Sequence, residues 1–67
     1  MVRGVIERFD DRRGDGWLRR DDGALFYFHC VAIADGTRVI DVGAKVEARR
    51  VVGHVGHDEV VDVRTTS

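Results

Sequence analysis

At 67 residues, 43% of them apolar, the chain has room for one domain and one small core. Eleven Lys and Arg stand against twelve Asp and Glu for a net charge of −1, which excludes a general electrostatic pull toward phosphate. The single cysteine, Cys30, excludes a disulfide within the monomer, and no apolar stretch approaches the roughly 20 residues needed to span a bilayer.

Residues 1–67 read as a single all-β domain, because short period-two segments are broken by Asp/Gly clusters in the manner of a sandwich or barrel. The first strand runs from Gly4 to Asp10. Its apolar marks, Ile6 and Phe9, lie three apart, so the strand must twist or bulge between them. A polar turn from Asp10 to Asp15 leads to the second strand, Trp17 to Arg20. Asp21-Asp22-Gly23 is then a hairpin signal. In the third strand, Leu25 to His29, alternation sets Leu25, Tyr27 and His29 on one face and Phe26 and Phe28 on the other, the core side. Cys30 to Ala34 reads as one helical turn, too short to stand alone. Asp35-Gly36 and Val42-Gly43 bracket a loop. Ala44 to Val52 is the fourth strand, with Val46, Ala48 and Val52 inward. Gly53-His54-Val55-Gly56 turns the chain into the fifth strand, Val60 to Thr65, where Val61 and Val63 face one way and Asp62 and Arg64 the other. The expected core is Ile6, Phe9, Leu18, Phe26, Phe28, Ile33 and Val46.

Two segments carry chemistry: Arg13-Gly14-Asp15-Gly16-Trp17-Leu18 and Phe26-Tyr27-Phe28-His29. Glycine on both sides of Asp15 keeps the backbone thin and lets it bend into the strand. Trp17, Tyr27 and His29 then offer flat π-surfaces on adjacent strands, a face that suits unpaired bases. Ten of the eleven cations are Arg, which stacks on a base and grips phosphate through one planar group. Catalytic readings are poor. His29, His54, His57 and Cys30 lack metal-ligand spacing, no serine other than Ser67 is present, and Cys30 beside His29 on a strand would point to the opposite face. No enzyme activity, metal or cofactor is expected. Cys30 reads as a small half-buried hydrophobe. No positively charged leader precedes an apolar run, and a soluble cytoplasmic protein is expected.

The chain resembles the cold-shock domain, a small five-stranded antiparallel barrel of the oligonucleotide-binding (OB) fold with a helical turn after strand 3. The resemblance runs from Gly4 to about Val63. The family's Gly-x-Val-Lys-Trp-Phe-Asn stands here as Gly4-Val5-Ile6-Glu7-Arg8-Phe9-Asp10. Its Lys-Gly-Phe-Gly-Phe-Ile is matched by Arg13 to Leu18, its Val-Phe-Val-His-Phe-Ser-Ala-Ile by Phe26 to Ile33, and its Glu-Gly-Gln-x-Val by Val42 to Val46.

The resemblance implies binding of single-stranded RNA or DNA by base stacking, with low sequence preference, in an RNA chaperone or a regulator of transcription or expression. Three of the family's six stacking positions remain as rings: Trp17, Tyr27 and His29. Arg8, Asp15 and Cys30 replace the other three, and Thr37 stands where a loop aromatic is common. At roughly 1–3 kcal/mol per stacked base, losing three platforms weakens affinity by about two orders of magnitude or more. Arg8, Arg13 and Arg20 are expected to meet phosphates or add stacking. Asp15 is expected to repel the phosphate backbone from the middle of the face. The alternative is a diverged barrel that uses the same face for a protein partner or a homodimer, without nucleic acid.

Overall fold

The structure, a computed structural model, describes residues 1–53 and 58–66. The elements are β1 (Val2–Asp10), β2 (Asp15–Arg20), β3 (Leu25–His29), a 3-10 turn (Cys30–Ala32), β4 (Lys45–Val51) and β5 (Glu59–Thr65). The expected turn through His54 and Val55 lies outside the described residues, as does His57.

The strands close into a barrel in the order β1-β2-β3-β5-β4. Four ladders are antiparallel, as expected, but β3 and β5 meet in parallel at Tyr27↔Glu59. Parity requires this. A closed ring with an odd number of strands cannot alternate direction all the way round, so one neighbouring pair must run the same way. A second parallel bridge, Ile33↔Val63, extends the seam below the 3-10 turn.

Two bulges aim the side chains. In β1 the register against β2 slips between Ile6 and Arg8, leaving Glu7 as the extra residue. Ile6 is thereby buried while Phe9 packs part-buried against the core, its ring stacked on Phe28 at 6.0 Å and 7°. The bulge inferred from the Ile6–Phe9 spacing is present. The second bulge overturns an expectation. In β5 the register against β4 slips between Glu47 and Arg49, and Asp62 adopts φ 55°. The extra residue breaks the alternation, so Val60 and Val63 are buried and Val61 is not. Aspartate tolerates this left-handed backbone better than a β-branched residue, which explains its place among valines.

The core comprises Val2, Ile6, Leu18, Phe26, Phe28, Ile33, Val46, Ala48, Val60 and Val63. Val52, expected inward, is instead 93% exposed, because β4 ends at Val51. Gly16 is obligatory beneath the β2–β3 surface. A Cβ there would lie 2.5 Å from the Arg8 carbonyl oxygen, 2.9 Å from Phe28 Cζ and 3.1 Å from Phe9 Cδ1, so Phe9 and Phe28 can close over this position only because it carries no side chain.

Candidate nucleic-acid interface

The β2–β3 ladder pairs Asp15 with His29, Gly16 with Phe28, Trp17 with Tyr27 and Leu18 with Phe26. Alternation buries Gly16, Leu18, Phe26 and Phe28 and turns Asp15, Trp17, Tyr27 and His29 outward. β1 sets Arg8 beside Trp17, and an open groove is lined by Glu7, Arg8, Trp17 and Leu25. The surface therefore combines rings, a guanidinium and one exposed leucine. Leu25, 48% exposed, joins the expected residues on this face through the parity with Tyr27 that the sequence already shows.

Trp17 and Tyr27 meet edge to face, with centroids 5.4 Å apart and planes at 70°. Both rings cannot lie flat on the sheet at once, contrary to the expectation of parallel platforms. Tyr27 is held in its pose by its hydroxyl, which donates to Asp15 Oδ2 at 2.8 Å. The same oxygen accepts from Arg13 Nη2 at 3.3 Å. Asp15 is thus a fixed junction rather than a bare charge. Its side chain is 15% exposed, while that of Arg13 is 74% exposed and lies over it. The carboxylate raises the Tyr27 pKa above the usual phenol range, chiefly because it accepts the phenolic hydrogen, with burial adding to the effect.

His29 sits at the other end of the pair. Its exposed imidazole accepts from the Val31 N–H at Nδ1, 3.4 Å, and so caps the 3-10 turn. That bond places the ring hydrogen on Nε2. Cys30 Sγ lies 3.8 Å from the same Nδ1. The two side chains do not point to opposite faces, because Cys30 has already left the strand for the turn. Cys30 also anchors the turn before β2: its N–H donates to the Gly14 carbonyl at 2.7 Å, and Gly14, at φ 73°, would bring a Cβ to 3.0 Å from Sγ.

The arginines divide in a way that sequence reading did not capture. Arg20 has the inward parity of Leu18, not the outward parity of Trp17. It lies over the buried Phe26 ring at 5.1 Å and grips Asp22 through two bonds of 3.0 and 2.8 Å. This pairing raises the Arg20 pKa and lowers that of Asp22 to about 2. Arg20 is not brought to the face. Arg13 reaches it only as the partner of Asp15. Arg19 pairs with Glu7 at 3.2 Å. Near the face, the cations without an ion pair among the described residues are Arg8 and, in the turn before β2, Arg12. Arg12 was not among the expected site residues, and only its freedom from a partner marks it out.

The fold can be compared with solved structures. The CSD456 segment of Drosophila Unr, which consists of cold-shock domains, superposes with a TM-score of 0.79 over 98% of this chain, at 22% identity. The chain has the cold-shock-domain fold. It spans 26% of the length of that Unr structure. No family model and no curated protein matches the sequence. On this barrel the outer β1–β3 face carries Arg8, Asp15, Trp17, Tyr27 and His29. Among the described residues, no group of three or more His, Cys, Asp or Glu is placed to hold a metal ion, and no helix is long and apolar enough to cross a membrane.

Proposed function

We propose that the β1–β3 face binds single-stranded RNA or DNA weakly, by stacking bases on Trp17, Tyr27 and His29. The observation that carries this reading is the adjoining Trp17–Tyr27 pair, held outward over a glycine-backed sheet with the unpaired Arg8 beside it. Each ring contributes about 1–3 kcal/mol to a stacked base. Arg8 and Arg12 supply the phosphate contacts; Arg13 is committed to Asp15 and Arg20 to Asp22. The edge-to-face geometry permits one base flat on the Trp17–Tyr27 pair rather than two, which keeps the affinity low. A module of this kind serves to hold RNA unpaired or to tune expression.

Titration with a short pyrimidine-rich strand tests the reading through the fluorescence of Trp17, the sole tryptophan. Saturable quenching that weakens with salt supports it, and a flat response to high micromolar strand refutes it. The exposed Leu25 beside Trp17 favours a second reading, an apolar protein contact on the same face. Such a contact would be nearly insensitive to salt, whereas phosphate binding is not.

A further inference from the structure

We propose that Asp15 reads base edges, so that the face favours bases bearing an exocyclic amine over uracil and thymine; this rests on the nucleic-acid reading above. Asp15 is the cross-strand partner of His29 and lies diagonal to Tyr27, so it sits between two stacking surfaces. Facing residues on adjacent strands hold their Cβ atoms about 5 Å apart, less than the width of a purine. A base resting on either ring therefore carries its edge to the carboxylate, while its sugar and phosphate run along the solvent side.

The carboxylate is held for that task. Oδ2 accepts both the Tyr27 hydroxyl and Arg13, which fixes the group's orientation, and Oδ1 has no partner among the described residues. An ionised carboxylate only accepts hydrogen bonds. The N4 amine of cytosine, the N6 amine of adenine and the N1–H and N2 amine of guanine all suit it. Uracil and thymine offer a single N3–H flanked by two carbonyls, whose lone pairs oppose those of the carboxylate. Arg13, whose side chain is far more exposed than that of Asp15, covers the group from the solvent side and leaves Oδ1 free for the base edge while it stays paired to Oδ2.

The test compares hexamers of deoxycytidine and thymidine on the wild-type protein, by Trp17 quenching, together with a hexamer carrying 2-pyrimidinone, which is cytosine without its amine. Cytosine is expected to bind about fivefold or more tighter than thymine, the size of one hydrogen bond to a charged acceptor at a partly wet site. The 2-pyrimidinone strand should lose that advantage. Asp15→Asn, which keeps an acceptor for Tyr27 but adds a donor, should abolish or reverse the order. Saturation with equal affinity for all three strands overturns the role of Asp15 and leaves the stacking reading standing. Saturation with none overturns both.

Discussion

Tyr27 and Asp15, twelve residues apart in sequence, share a 2.8 Å hydrogen bond across the β2–β3 ladder, and it converts an acidic substitution into a support for the ring beside it. Asp15 looks disabling in the sequence because nothing there shows the hydroxyl and guanidinium that satisfy it. Replacing Tyr27 by Phe separates the two roles. The variant should keep its stacking ring but lose about 1 kcal/mol of stability, read by urea unfolding, because the part-buried carboxylate loses a donor. Trp17→Ala, by contrast, should weaken strand binding about tenfold at a stability cost set only by lost packing, measured by competition with a labelled strand.

Salt dependence separates the arginines. With phosphate contacts limited to Arg8 and Arg12, log K against log salt should have a slope of about −1.4 on single strands. Arg8→Ala should make it shallower by about 0.7. Arg20→Ala should leave the slope unchanged and lower thermal stability instead, since Arg20 lies over Phe26. A slope that responds to Arg20 but not Arg8 would reverse this assignment.

The acid limb of stability should depend on the Arg20–Asp22 pair. The hydrogen bond from Arg20 lowers the Asp22 pKa from its ordinary 3.8 to about 2 in the fold, so its contribution is present above about 3.8 and disappears as pH falls through 2. Asp35, lowered by the Thr37 N–H and hydroxyl, acts in the same direction. Tyr27 acts at the opposite end: its raised pKa means that its contribution holds below 10 and is lost as pH climbs past the folded value. Unfolding midpoints measured across pH should therefore fall at both extremes, and Asp22→Asn should flatten the acid side.

Asp62 tests the β5 bulge. At φ 55° a valine would incur the left-handed penalty of about 1–2 kcal/mol, so Asp62→Val should destabilise the barrel although it continues a valine-rich strand. Asp62→Gly should be tolerated better, losing only the exposed 3.1 Å pair with Arg49. Equal midpoints for the two variants would argue against a bulge at this position.

Much of this architecture could be read from residue order. Strict alternation in Leu25 to His29 assigns the phenylalanines to the core, and the three-residue step from Ile6 to Phe9 announces the β1 bulge. The β5 bulge left no such mark, because Val60, Val61 and Val63 fit a period of two as well as they fit a slipped register. Arg20 leaves the face for a simpler reason: one step from Arg19 is a change of face, so Arg20 shares the inward parity of Leu18 and lies over Phe26. The Asp15–Tyr27–Arg13 junction depends on side-chain reach across a ladder, which period and composition do not encode.

The parallel seam gives Tyr27 a double duty. Its ring belongs to the exposed face, yet its backbone N–H donates to the Asp58 carbonyl at 2.8 Å and its pairing with Glu59 fastens β3 to β5. The seam is narrow, so the barrel has a built-in clasp located under its most useful ring. Whatever settles on Tyr27 must also weight that clasp shut. Occupancy should therefore be legible from inside the molecule, as slowed hydrogen exchange at the Tyr27 and Ala34 amides, and a barrel loosened at the seam should lose its ligand before it loses its fold.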